Sequence, residues 1–159
     1  MTIEIDLAGV GEADQLLRLQ KRAFRKEAER NGDLQIAPMV ETLPDLEAAF
    51  GSHTALIARD KDAIVGAVRL RVQDGVCHIG RLFVAPEYQG RGIGRKLFQA
   101  AEAEGGSAGS FRLVTGKLST ANIRLYESLG YKITGESMEN GRTPLVVMEK
   151  QKSGPQRPL

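Results

Sequence analysis

Val84-Ala85-Pro86-Glu87-Tyr88-Gln89-Gly90-Arg91-Gly92-Ile93-Gly94-Arg95-Lys96 leaves a strand-like run, turns through glycines and opens an amphipathic helix in which Ile93, Leu97, Ala100 and Ala101 recur at helical spacing. A strand-to-helix junction of this kind binds phosphate. The first helical turn leaves backbone N–H groups without partners, the helix dipole adds partial positive charge, and glycine lets a ligand approach the main chain. Arg91, Arg95 and Lys96 add fixed charge. Spacing eliminates two familiar phosphate loops. A nucleoside-triphosphate loop requires Gly-x-x-x-x-Gly-Lys-Ser/Thr, whereas Lys96 follows Arg95 and precedes Leu97. The dinucleotide fingerprint Gly-x-Gly-x-x-Gly would need glycine where Arg95 or Leu97 stands. What remains is Gln-x-x-Gly-x-Gly at Gln89, Gly92 and Gly94.

Upstream, Thr54 to Arg59 and Ala63 to Val72 are rich in Ala, Val, Ile and Leu and are joined by the polar turn Asp60-Lys61-Asp62, and Asp74-Gly75 marks a second hairpin into Val76 to Val84. Three consecutive antiparallel strands are therefore predicted. Ile3, Ile5 and Leu7 alternate on one face of an opening strand. From Ala13 the apolar residues recur at three and four through Ala28, with Glu12 and Asp14 at the start and Arg25, Lys26 and Arg30 at the end, until Asn31-Gly32 stops the helix. Asp33 to Pro44 reads as loop and Leu43 to Phe50 as a short second helix. Downstream, a helix over 92–104 stops at Gly105-Gly106. Phe111 to Thr115 reads as a buried strand, Leu118 to Leu129 as a helix closed by Gly130, and Tyr131 to Ser137 with Pro144 to Glu149 as a strand pair around Asn140-Gly141. The predicted order is β-α-α-β-β-β-α-β-α-β-β in one domain over 1–149, followed by a polar tail over 150–159.

The 159 residues, 42% hydrophobic and 26% charged, have the composition of one globular domain, and a chain of this length buries about two thirds of its unfolded surface. Disorder as the overall state is excluded. Cys77 is the single cysteine, and one Cys with two His offers no zinc-ligand spacing, so no metal and a reducing compartment are expected. The acidic, alternating start is unlike a signal peptide, and no apolar run approaches membrane-spanning length, which predicts a cytoplasmic protein with no membrane partner. A net charge of +2 argues against nucleic acid. The bases of the first helix are matched by Glu27 and Glu29 and read as a solvated face.

Leu82-Phe83-Val84-Ala85-Pro86-Glu87-Tyr88-Gln89-Gly90-Arg91-Gly92-Ile93-Gly94 resembles the acetyl-coenzyme A binding motif of the GNAT superfamily of N-acetyltransferases. A second stretch, Ser119-Thr120-Ala121-Asn122-Ile123-Arg124-Leu125-Tyr126-Glu127-Ser128-Leu129-Gly130-Tyr131, resembles that family's later helix, which ends in Leu-Tyr-x-x-x-Gly-aromatic. The resemblance implies an α/β (α+β) fold with a mixed, mostly antiparallel sheet of about seven strands flanked by about four helices. It implies acetyl-coenzyme A as cosubstrate and direct transfer of its acetyl group to a primary amine in a ternary complex, without metal. By the same resemblance, the backbone of Gln89, Gly90, Arg91, Gly92, Ile93 and Gly94 holds the pyrophosphate, with Arg95 and Lys96 beside it. Main-chain groups around Leu82, Phe83 and Val84 meet the pantetheine and acetyl carbonyl where that strand splays from its neighbour, and Tyr126 acts as the acid at the leaving sulfur.

Residue chemistry fits these roles. Ser119, Asn122 and Tyr126 share one helical face, while Leu118, Ala121, Leu125 and Leu129 form an apolar stripe. Acetyl transfer needs donors for a developing oxyanion and a proton for the thiolate, and a phenol of ordinary pKa near 10 is protonated at neutral pH. Two departures from the family pattern stand out. The family often has Asn where this chain has Ser119, so either Ser119 or Asn122 supplies the cofactor contact, and Ser119 reads equally well as a helix N-cap. Many members also carry a Glu base that often falls where this chain has Gly80. His78, on the same strand face as Gly80, is the candidate replacement, with a hydrogen-bonded histidine at the core edge as the equal alternative. Glu41, Glu47 and His53 lie in or beside the segment that shapes the acceptor pocket and are not ranked; Cys77 reads as a small buried hydrophobe. The acceptor, small molecule or peptide, is left open. The missing Glu keeps a non-catalytic acyl-coenzyme A sensor as the alternative, and an exposed final strand would allow a homodimer.

Overall fold

The computed structural model describes residues 2–152. The chain forms β1 (Ile3–Leu7), α1 (Ala13–Arg30), α2 (Ala37–Val40), α3 (Leu43–Ala49), β2 (Thr54–Asp60), β3 (Ala63–Gln73), β4 (Val76–Val84), α4 (Ile93–Glu104), β5 (Ser110–Gly116), α5 (Thr120–Ser128), β6 (Lys132–Glu139) and β7 (Thr143–Gln151). Seven strands form one sheet in the order β1-β2-β3-β4-β5-β7-β6, with every neighbouring pair antiparallel except β4 and β5. The mixed α/β architecture predicted for the chain is present. Hairpin chemistry explains the register: Asp74 and Gly75 (φ 52° and 78°) fill the two-residue turn between Gln73 and Val76, and Asn140 and Gly141 (φ 52° and 67°) take the same left-handed conformations in the three-residue connection between Glu139 and Thr143.

Two apolar layers clamp the sheet. Leu97, Phe98 and Ala101 of α4 pack with Cys77, Ile79, Leu113, Met148, Tyr126 and Tyr131, while Leu16, Leu17 and Leu19 of α1 and Leu46 of α3 pack with Ile57, Ala67 and Phe83. Each fully buried side chain of this size contributes about 1.5–3 kcal/mol. Ile79 and Phe83 are four apart, so an unbroken strand would put them on one face. They lie in opposite layers because β4 bulges: pairing with β3 shifts register between Ala67 and Arg69, and Arg81 takes φ 50°. The bulge sends Phe83 against Phe24 of α1, with ring centroids 5.9 Å apart.

Three predicted boundaries differ from the structure. Ala37–Val40 is a helical turn where the sequence predicts loop, because Gln20 on α1 donates from Nε2 to Pro38 O at 3.0 Å and fixes the turn from outside. Helix α5 starts at Thr120, and Leu118 of the supposed apolar stripe is 51% exposed; the Ser119 and Tyr126 face is the buried one. Strand β7 continues to Gln151, so Lys150 and Gln151 belong to the sheet, and Lys152 N donates to Gly109 O at 3.0 Å. The rest of the predicted tail, 153–159, lies outside the described residues. No helix among the described residues is long and apolar enough to cross a membrane.

Candidate active site

Strands β4 and β5 pair only through Val76 with Ser110, Cys77 with Phe111 and His78 with Arg112, and then part. The wedge between them opens into two cavities. The larger, about 420 Å³, runs from Leu82, Phe83 and Val84 to the glycine loop and the N-terminus of α4. The smaller, about 260 Å³, lies in the wedge itself, between Ile79 to Leu82 and Leu113 to Gly116. Both are lined by Phe24, Glu27, Leu82, Asn122 and Tyr126, so they meet at those side chains.

The glycine loop adopts the conformations its residues allow. Gly90 and Gly92 sit at φ 78° and 81°, where a Cβ is strained, and Gly92 is the N-cap of α4 without any side-chain cap. The first helical bond of α4 is from Lys96 N to Gly92 O, 3.1 Å, so the N–H groups of Ile93, Gly94 and Arg95 have no intrahelical acceptor. Gln89 braces the loop by donating from Nε2 to Val84 O at 3.1 Å. Gln89, Gly90, Gly92, Ile93, Gly94 and Arg95 line the larger cavity, and Lys26 and Arg30 of α1 join them. Arg91 and Lys96 do not line it; Arg91 stacks over Tyr88 at 5.1 Å and donates to Glu87 O. Uncapped amides with Arg95, Lys26 and Arg30 on one cavity have the chemistry to hold a doubly anionic diphosphate such as that of coenzyme A.

Where the cavities meet, Tyr126 is 7% exposed and its ring packs on Phe98 and Tyr131, with centroids 5.1 Å and 6.4 Å away. Burial, reinforced by the Glu27 carboxylate, pushes its phenol above the ordinary range, so the group holds its proton. Glu27 is half-buried and lines both cavities, rather than standing on a solvated face as its helix pattern predicts. Its Oε1 accepts from Ser119 Oγ at 2.8 Å and from Asn122 Nδ2 at 3.4 Å. Ser119 is fully buried, lines neither cavity and makes no side-chain cap bond; it orients Glu27. Asn122 lines both cavities. Gly116 makes this docking possible, since a Cβ there would lie 2.9 Å from Asn31 Oδ1 and 3.0 Å from Ser119 Oγ. The signal for Glu27 was present in the sequence: Gln20, Phe24, Glu27 and Asn31 follow one another at four, three and four along a helix. A polar residue on a buried stripe marks a site.

Gly80 lies on the smaller cavity, with open space where a Cβ would stand. His78, the expected replacement for the missing carboxylate, is not brought to that space. It sits where β4 and β5 still pair, between Arg71 and Arg112, and lines neither cavity; burial and those two cations hold its pKa below the ordinary value. Glu41 is also committed elsewhere. It accepts two bonds from Arg69, at 2.6 and 3.0 Å, and one from Gln20 Nε2 at 2.9 Å. Glu47 is exposed, and His53 bonds through Nδ1 to Ser52 Oγ at 2.8 Å. Cys77 is fully buried, and burial pushes its thiol up to about 11, so it is inert packing.

Comparison with known proteins places this geometry. A family profile described as an acetyltransferase (GNAT) domain matches residues 37–152. An IAA acetyltransferase of Azospirillum brasilense is 34% identical over 100 residues, a match that spans 60% of this chain and 65% of that protein. The PaiA N-acetyltransferase of Thermoplasma acidophilum, solved with coenzyme A, superposes with a TM-score of 0.81 at 19% identity, covering 96% of this chain and 100% of that one. The acetyltransferase YncA of Salmonella typhimurium, solved with acetyl-coenzyme A and described as putative, gives 0.76 at 19% identity over 99% of this chain and 98% of that one. With the profile matched over most of its length, and the loop and wedge in place, this chain belongs to the GNAT acetyltransferase family.

Proposed function

We propose that the protein transfers the acetyl group of acetyl-coenzyme A to a primary amine, in a ternary complex that fills both cavities. One observation carries the reading: a cavity ending at uncapped helix amides meets a second cavity at a protonated phenol and a carboxylate. The cosubstrate supplies an activated thioester. The amides of Ile93, Gly94 and Arg95, with the cations of Arg95, Lys26 and Arg30, hold its diphosphate, and the unpaired edge of β4 from Leu82 to Val84 aligns its acyl arm. Glu27 takes the proton that the amine gives up as the new C–N bond forms. Tyr126 gives its proton to sulfur as the C–S bond breaks, so N-acetylated amine and free thiol leave with charge balanced. Ser119 and Asn122 hold Glu27 in place. The relative named as an acetyltransferase supports acetyl as the group moved, and a lone buried thiol suits a cytoplasmic setting.

The test has two parts. Acetyl-coenzyme A at about 100 times its dissociation constant stabilises the fold by about 2.7 kcal/mol, read as a rise in melting temperature. Thiol release with a panel of amines then falls about 10²-fold or more in Glu27→Gln, whose amide oxygen keeps accepting from Ser119, while the melting shift persists. Cofactor binding without release from any amine would favour a non-catalytic sensor, the reading that Gly80 in place of a carboxylate supports. No melting shift removes both.

A further inference from the structure

Arg81 has no structural use that matches what it costs. It stands in the bulge of β4 at φ 50°, a conformation that a long side chain adopts only when the surroundings impose it. Its side chain is 26% exposed and its Nε is buried without a hydrogen-bond partner. The nearest carboxylate oxygen, Glu41 Oε1, is 3.8 Å away, beyond hydrogen-bond reach, and that carboxylate is already satisfied by Arg69 and Gln20. Arg69 faces Arg81 as a second cation and Glu41 and Glu139 act on it as anions, but burial and Arg69 outweigh them, and neither carboxylate comes within hydrogen-bond reach of the buried Nε. A buried donor without a partner calls for an explanation. Bulges re-aim side chains beside active sites, and this one puts Arg81 on the wall of the smaller cavity, next to the open space at Gly80. Of the two carboxylates on that wall, Glu139 is engaged by the Ala37 amide at 2.6 Å, and Glu27 stands beside Tyr126. The cavity therefore has a cationic pole at Arg81 and a carboxylate and phenol at the reacting end.

We propose that the amine acceptor carries a carboxylate, and that Arg81 is the specificity-determining residue that receives it, so that the products are an N-acetylated amino acid and free coenzyme A. The proposal rests on the acetyl-transfer reading above. A guanidinium fork matches a carboxylate through two parallel hydrogen bonds, and the space left at Gly80 gives that group room. Gly80 thus brings no carboxylate to the cavity wall beside Arg81.

The experiment compares glycine, β-alanine, 4-aminobutanoate and the common α-amino acids with their methyl esters, by thiol release at saturating acetyl-coenzyme A. Free acids of the preferred length are expected to exceed their esters by about 10- to 100-fold in kcat/KM. In Arg81→Gln the advantage falls to within about threefold, through KM for the acids, while the esters are unchanged. Arg81→Asn is the folding control: Asn tolerates the left-handed conformation and only the 3.8 Å ion pair with Glu41, which keeps Arg69 and Gln20, is lost, so it folds and melts close to the parent. Titration of N-acetyl-β-alanine and its methyl ester, with and without coenzyme A, reads the same preference without turnover and decides the matter if every amine is silent. Equal handling of acids and esters, a preference that survives Arg81→Gln, better turnover of 2-aminoethylphosphonate than of β-alanine, or a large loss of stability in both Arg81 variants would overturn the proposal. If acetyl-coenzyme A still binds and plain amines react, acetyl transfer stands and only the carboxylate assignment falls.

Discussion

Tyr126→Phe separates chemistry from packing at the point where the two cavities meet. The substitution keeps the ring and its contacts with Phe98 and Tyr131, and removes a hydroxyl that has no hydrogen-bond partner among the described residues. No internal hydrogen bond is lost, so the expected change in stability is within about 0.5 kcal/mol. Activity responds differently. A positioned acid contributes about 10²- to 10⁴-fold, or about 2.7–5.4 kcal/mol at 1.36 kcal/mol per tenfold, and the loss should fall on kcat with acetyl-coenzyme A affinity preserved. The phenol also reports on itself through pH. Burial raises its pKa in the fold above the ordinary value near 10, so the unfolded chain ionises first, and the contribution to stability is complete below pH 10 and declines above it. Tyr131 shifts the same way, by burial and its bond to Glu102, so the Tyr126 share is the difference between parent and variant melting curves above pH 10. The assays are thiol release, calorimetric titration of acetyl-coenzyme A, and thermal melts from pH 7 to 11. Activity retained within threefold, or a loss of more than about 2 kcal/mol in stability, would refute the assignment of Tyr126 as the acid.

Two further substitutions test the loop and the buried ion network. Gly92→Ala forces a Cβ into φ 81° and should lower stability by about 1–2 kcal/mol while weakening acetyl-coenzyme A binding; a variant of unchanged affinity would show that the loop's glycines serve the turn alone. Arg69→Met strands the Glu41 carboxylate, which is 8% exposed, and should cost about 3 kcal/mol at neutral pH by chemical denaturation. Burial raises the Glu41 pKa, but the hydrogen bonds from Arg69 and Gln20 and the charges of Arg69 and Arg81 outweigh it, so the net direction is down. The parent's stability from this group is therefore present above the ordinary value of 4.5 and lost as pH falls through the depressed value. A parent whose acid limb matches that of Arg69→Met would contradict the pairing.

The glycine loop was legible in the sequence because its chemistry belongs to the backbone. Gly90 and Gly92 take conformations that residue identity selects, and the amides they free need no distant partner. The Asp74-Gly75 and Asn140-Gly141 hairpins and the face shared by Ser119, Asn122 and Tyr126 were readable for the same local reason. Glu27 was legible only in part: its spacing from Gln20 and Phe24 puts it on the buried stripe, but in a helix rich in charge it also reads as solvated, and what settles its surroundings is that Ser119 and Asn122, more than ninety positions later, come within hydrogen-bonding distance. His78 illustrates the converse. Alternation put it correctly on the Gly80 face, yet whether that face meets a cavity depends on where β4 and β5 separate, and they separate just past it. The bulge puts its left-handed residue at Arg81 and not at the neighbouring Gly80, so residue type does not announce it, although it reverses which layer each later residue of β4 enters. Local conformational preference and hydrophobic period thus settled the elements, their turns and the anion-holding loop. Long-range contact alone decided which acid and which cation line the cavities, since a side chain's environment is set by what packs against it and strand alternation says nothing of where two strands part.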